Sequence, residues 1–280
     1  MTETPAYTKI RRHSWAVIGS GEDVHHSYGS NQAVVIGGRA TLVFDTGFSN
    51  RVPGLLLKEI GRTKTILVVD SHYHSDHVFG NSVFTDIGAP VIAHENCSRS
   101  MERKSARLLE GYRQRSPRME KMLRGVRVVT PHVTYEDQIE IKLGNGLNVE
   151  IVHPRNRAHT DGDSIVNISA ERVLFAGDVL WVSYHPNLED ADIQGQIQAL
   201  RLILRMKPRL IVPGHGPVSS PRDVKRSIKY LEQLDRNIGS GIRKGLKGDD
   251  FVRYAIPRWS SGWKMQWLME SYLRQLSRKN

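Results

Sequence analysis

The sequence predicts an α/β protein built on mixed β-sheets, and three observations carry that prediction. Short β-branched apolar runs alternate with longer amphipathic stretches, the pattern of sheet and helix layers. The pattern occurs twice, on either side of a strongly basic stretch. Tight turns within each half join adjacent strands, which excludes purely parallel sheets. The 280 residues fit one large domain or two small ones, with ample chain for a buried core. We expect one domain over 1–280, with a basic helical insert at about 97–127 and a C-terminal helical extension at about 221–280.

The first half reads as a strand over 33–37, a turn at Gly37-Gly38-Arg39, a strand over 40–44, a helix over 52–60 and a strand over 65–70. The second reads as strands over 147–152, 163–168 and 173–175, with a turn at Ala170-Glu171. A helix over 192–206 follows, then a strand over 210–212. Between the halves, Leu108, Leu109, Tyr112, Met119, Met122 and Leu123 give the basic stretch an apolar side, as on a helix. Pro117 breaks or bends it. Ser219-Ser220-Pro221 reads as the cap of another helix. Trp259, Trp263 and Trp267 recur at four-residue spacing, which on a helix places them on one face. Such a face is core, a subunit contact or a lid, so an oligomer is compatible with it.

The chemistry concentrates in His72-Tyr73-His74-Ser75-Asp76-His77, directly after the 65–70 strand. Imidazole nitrogens and carboxylate oxygens are what zinc and similar divalent ions prefer. Chance histidines on a polar loop are the plainer reading, and four such groups in six residues weigh against it. His159, Asp178 and His215 each stand on a loop expected to follow a strand. Ligand sites in α/β folds collect at the carboxyl ends of strands. Taken singly, each of these three could equally be a core or surface residue.

Taken in order, the motifs form a set. They are Val43-Phe44-Asp45-Thr46-Gly47, the His72–His77 cluster, Ala158-His159-Thr160-Asp161-Gly162, Gly177-Asp178 and Pro213-Gly214-His215-Gly216. Together they resemble the metallo-β-lactamase-fold hydrolase superfamily. The resemblance implies an αβ/βα sandwich of two mixed sheets flanked by helices, with a metal site at one edge of the sheets. It implies two divalent ions, zinc by default, with iron or manganese compatible. It puts His72, His74 and His159 on one metal, and Asp76, His77 and His215 on the other. Asp178 would bridge them and a hydroxide would lie between. Asp76 would also act in catalysis, and Asp45 would orient the histidine loop. Tyr184 and His185, shortly after Asp178, fall where members of this family often border substrate.

Asp178 narrows the branch. β-Lactamases of this fold usually carry Cys or Ser there, whereas glyoxalase II, lactonase and processing-ribonuclease members carry Asp. The ribonucleases usually continue the cluster differently from Val78-Phe79-Gly80-Asn81. The implied function is dinuclear hydrolysis of a thioester, lactone or related ester. The alternatives are a nuclease or phosphodiesterase of the same fold, a mononuclear iron dioxygenase, or a weak β-lactamase.

Charge bears on the partner. The net charge is +11, and between Arg99 and Arg127 ten lysines and arginines face only three glutamates. Such a face attracts anions, so coenzyme A or an acidic carrier protein is the expected acyl donor. Nucleic acid is less favoured, since Tyr112 is the only aromatic in the stretch. A merely solvated helix is the plainer reading. Cys97 is the only cysteine, which excludes an intrachain disulfide and makes the cytoplasm the expected location. No apolar run is long enough to span a bilayer, and residues 1–5 show no apolar leader, so no membrane association is expected.

Overall fold

A computed structural model describes residues 7–61 and 65–279. Residues 1–5, read above as a polar start, lie outside them. Two sheets face each other. The first orders β1 (Tyr7–Lys9), β2 (Ser14–Val17), β3 (Gln32–Ile36), β4 (Ala40–Phe44), β5 (Thr65–Val69), β6 (Val91–His94) and β7 (Val133–Tyr135). Its strands pair antiparallel from β1 to β4 and parallel from β4 to β7. The second contains β8 (Gln138–Gly144), β9 (Leu147–Val152), β10 (Ile165–Ile168), β11 (Val173–Trp181) and β12 (Leu210–His215). Its neighbours are antiparallel except β11 and β12.

Period-two alternation builds the layers. On β3 and β4, Ala33, Val35, Leu42 and Phe44 turn inward onto Val149, Ile151, Val166 and Phe175 of the other sheet. Val34 and Val43 turn outward and pack with Leu56, Leu57 and Phe84. These come from α1 (Arg51–Ile60) and, after the short α2 (Ser75–Val78), from α3 (Asn81–Thr85). Next come α4 (Glu95–Arg113) and α5 (Pro117–Met122), which pack beside the His72–His77 loop through Met101, Leu109 and Met119, with Leu123 just after α5. The outer face of the second sheet, with Leu174, Ala176 and Ile211, is covered by α6 (Ile193–Arg205), α7 (Pro221–Arg243), α8 (Gly248–Ala255) and α9 (Gln266–Lys279). Strands buried on both faces read as unbroken apolar runs, which is how they stood out in the sequence. The result is the αβ/βα sandwich expected from the motifs.

Three local features differ from expectation. Strand β11 does not stop at Phe175 but runs to Trp181, with a register break at Gly177, whose φ is +51°. Asp178 and His215 therefore lie inside the ends of β11 and β12, not on loops beyond them. The three tryptophans do not share a helix, because Pro257 and Gly262 interrupt the chain around Trp259. Trp259 and Trp263 pack on Tyr230, while Trp267 on α9 is 50% exposed. Pro117 does break the basic helix: Ser116 caps α5 by accepting the Met119 N–H at 3.2 Å. Among the described residues, no helix is long and apolar enough to cross a membrane.

Candidate metal centre

The loops after β5 and β9 and the ends of β11 and β12 bring the seven residues together. Strand β5 ends at Val69, and the chain then crosses the sheet edge through Ser71 and His72 into α2, which carries Asp76 and His77. Two groups of potential ligand atoms result: His72, His74, His159 and Asp178, and Asp76, His77 and His215. His74 Nδ1 lies 2.9 Å from both His72 Nε2 and His159 Nε2. Asp178 faces both groups with different oxygens. Its Oδ2 is 3.3 Å from His159 Nε2 and 3.6 Å from His72 Nε2. Its Oδ1 is 3.2 Å from His77 Nε2 and 3.4 Å from His215 Nε2. Asp76 Oδ2 lies 3.5 Å from each of the last two nitrogens. Gly214 makes this approach possible, because a Cβ there would stand 1.9 Å from Asp178 Oδ1.

Hydrogen bonds on the far sides of the rings settle which nitrogens face inward. His77 Nδ1 donates to Asp45 Oδ2 at 2.8 Å, His215 Nδ1 to the Tyr28 carbonyl at 3.0 Å, and His74 Nε2 to Asp190 Oδ2 at 3.2 Å. The opposite nitrogen of each ring therefore presents a lone pair to the centre. His77 Nε2, His215 Nε2 and Asp178 Oδ1 are buried without a hydrogen-bond partner. Ligand atoms converging in this way call for positive charge between them, which a cation supplies. The edge of a tetrahedron with metal–nitrogen bonds of about 2.0–2.1 Å is roughly 3.3 Å, close to these separations. The donor set thus fits divalent ions.

The electrostatics agree. Burial alone would raise Asp178, but the imidazoles of His77, His215, His159 and His72 hold it well below the usual carboxylate range. Burial would lower His77, yet Asp178, Asp76 and Asp45 push it well above the usual imidazole range. That is a demand for positive charge at His77 Nε2, which a proton or a metal ion can meet. Burial takes His159 down to about 3, its neighbours His74, His77 and His215 adding to the effect against Asp178. Asp45 is fully buried in the left-handed region at φ 60°, and its other oxygen accepts the Ser71 N–H at 2.7 Å. One side chain thereby ties the first residue of the histidine loop to His77.

Only two groups of the cluster reach solvent: the side chains of His74 and Asp76 are 16% and 12% exposed. They mark the mouth. On the Asp76 side stand Tyr28 and Tyr112, with Arg115 stacked on the Tyr112 ring at 4.2 Å. On the His74 side, Tyr73 donates to Asp190, and Lys104 donates to Tyr73 at 2.7 Å. In the sequence Tyr28 and Asp190 carry no signal, Lys104 stands out only as one cation of the basic stretch, and Tyr73 only as a member of the histidine cluster. The pair Tyr184 and His185 diverges. The Tyr184 ring lies 5.9 Å from His215, whereas His185 turns away to pair its Nδ1 with the Tyr230 hydroxyl at 2.7 Å. Asp163 accepts the Thr160 N–H at 2.9 Å and shapes the His159 loop. His94 and His153 stack on each other at 3.8 Å.

Comparison with known proteins agrees with this geometry. The metallo-beta-lactamase superfamily profile matches residues 28–215, which include all seven clustered residues. The Drosophila melanogaster "Beta-lactamase-like protein 2 homolog" is 26% identical over 234 residues, covering 78% of this chain and 69% of its own length. A solved structure, "Metallo-beta-lactamase from Pontibacter korlensis", superposes with a TM-score of 0.66 at 22% identity. That match covers 82% of this chain and 99% of the other, and it bears on the fold. The chain belongs to the metallo-beta-lactamase superfamily of hydrolases.

Proposed function

We propose that the protein is a dinuclear metal-dependent hydrolase of thioesters, lactones or related esters. One observation carries this reading: Asp178 turns a different oxygen to each group of ligand atoms, as a carboxylate shared by two ions would. His72, His74 and His159 would hold one ion, and Asp76, His77 and His215 the other. Zinc suits so many imidazoles, and iron or manganese would also accept a shared carboxylate. What the ions supply when bound is acidification of a water and charge opposite a developing oxyanion.

The protein's own residues do the rest. Water adds at the carbonyl carbon, the C–S or C–O bond breaks, and the leaving atom takes a proton as the acid departs. Asp76 stands at the mouth, half of it committed to the His77 and His215 side, and is the group placed to pass that proton. Asp45 and Asp190 orient His77 and His74. The basic α4–α5 surface would draw in an anionic acyl carrier. Cys97 is fully buried, and burial raises its thiol well above the usual range, which favours an inert role in a reducing, cytoplasmic setting.

The test is metal analysis followed by a hydrolysis panel of acyl thioesters, lactones, a β-lactam and a bis-aryl phosphodiester. His72→Ala serves as the blank. Turnover of thioester or lactone is expected at two ions per chain. A single iron per chain, or cleavage of the phosphodiester alone, would sink this reading. The second reading, a nuclease, is favoured only by the charge of the basic stretch. Steep salt-dependent retention on nucleic acid is its signature.

A further inference from the structure

Beside His74 the surface opens into a cleft of about 480 Å³. That volume falls within the roughly 300–1,000 Å³ typical of small-ligand sites. Its inner wall is shared with the metal centre. Tyr73 precedes His74, Asp190 bonds to it, and Thr160 follows His159. His74, partly exposed, sits directly behind this lining through its bond to Asp190.

The lining is almost wholly polar. Arg103 and Lys104 come from α4, and Arg157 from the loop that carries His159. The two carboxylates are already engaged. Asp190 accepts from His74, Tyr73 and Lys104, and Asp161 lies 3.9 Å from Arg157. Arg103 spends only its Nε, on the Arg99 carbonyl at 3.0 Å. Its two terminal nitrogens have no partner among the described residues. Two guanidiniums on separate elements thus border one opening, and a guanidinium is a planar fork matched to phosphate oxygens. Nothing in the lining would hold an acyl chain. The one aromatic, Tyr73, has its ring covered by Lys104 at 4.4 Å, so a base finds no free stacking platform.

Resting on the ester-hydrolase reading and narrowing it, we propose that this cleft binds the phosphate-bearing end of a thiol carrier, so that the substrate is a thioester of a phosphorylated carrier such as coenzyme A. The acyl carbonyl would then lie at the metal pair and the phosphates between Arg103 and Arg157. Hydrolysis would release the free acid and the protonated thiol carrier, with water as the only co-reactant.

The experiment is calorimetric titration of the metal-loaded full chain with oxidised coenzyme A, which has phosphates but no free thiol to bind metal. Pantethine, the same disulfide without the phosphorylated nucleotide, is the comparison ligand. We expect oxidised coenzyme A to bind roughly tenfold more tightly than pantethine, and Arg103→Ala with Arg157→Ala to erase that advantage. Arg157→Lys, which keeps the charge and loses the fork, should fall between. Equal affinity for the two ligands overturns the proposal, as does a double variant that binds oxidised coenzyme A like the parent. Tighter binding of a short single-stranded RNA overturns it in favour of the nuclease reading. The two failures are separable. Binding without turnover of any acyl thioester, lactone or ester removes the hydrolase reading and leaves the cleft. Turnover of thioesters without binding of oxidised coenzyme A does the reverse.

Discussion

On the Asp76 side of the metal centre, His77 and His215 donate their Nδ1 protons to partners held by the fold itself. These are the buried Asp45 carboxylate and the Tyr28 carbonyl. On the other side, His74 donates to Asp190, whose side chain is 37% exposed and is shared with Tyr73 and Lys104. His159 has no partner on its outer nitrogen. One half of the site is therefore fixed by the interior of the fold, while the other holds His72 through the buried Ser71 Oγ at 2.9 Å and His74 through a surface network at the edge of the cleft. Loss of the interior partner should be felt as instability, and loss of the surface partner as weaker, local metal binding.

Asp45→Ala should have the largest effect. It leaves the Ser71 N–H and the His77 Nδ1–H buried without acceptors, and breaking a buried charged pair costs about 3–5 kcal/mol. Chemical denaturation of the metal-stripped protein reads this directly. A loss below about 1 kcal/mol would show that the interior half is not held as described.

Asp190→Asn should act on one half alone. Removing a carboxylate behind a ligating histidine typically weakens metal binding by about 10–100-fold. In a stepwise metal titration one equivalent should weaken and the other stay in place. Equal weakening of both would erase the contrast between the halves.

The smallest effect concerns acid. His185 lies behind Tyr184 on the interior side, and burial lowers its pKa to about 4, against the opposing charge of Glu270. The unfolded chain takes up a proton near the ordinary imidazole value of about 6.5, while the folded chain does not. Stability is therefore full above that value and falls as pH drops from there toward about 4. His185→Gln should remove about 1 kcal/mol of the stability lost between about pH 7 and about pH 5.5. Thermal unfolding of both proteins at the two pH values measures it, and parallel losses would assign the acid sensitivity elsewhere.

What the sequence revealed follows from how local each signal is. The β3–β4 hairpin could be read because Gly37-Gly38 separates two apolar runs that are buried on both faces. The His72–His77 loop could be read because four potential metal ligands crowd six residues. Strand β11 was cut short because Gly177 and Asp178 look like strand terminators, yet a register break lets the chain continue to Trp181. The tryptophans misled because spacing alone suggested a helix, while Pro257 and Gly262 carried the contrary signal. Asp190 had no signal at all. Glu189, Asp190 and Asp192 lie within four positions, and only the packing of the loop against Tyr73 and α4 turns one of them toward His74. Tyr28 was equally silent. It enters the site through consecutive left-handed residues at Ser27 and Tyr28, a conformation that sequence pattern does not forecast.

The Trp181 indole lies face to face with His215, ring centres 3.9 Å apart, and its ring centre is 6.1 Å from that of His159. It is buried, so solvent contributes little to its surroundings. An excited indole hands electron density to a neighbouring charged imidazole far more readily than to a neutral one. The protein thus carries an optical indicator in its own wall: emission from Trp181 should change when His215 gives its inward lone pair to an ion.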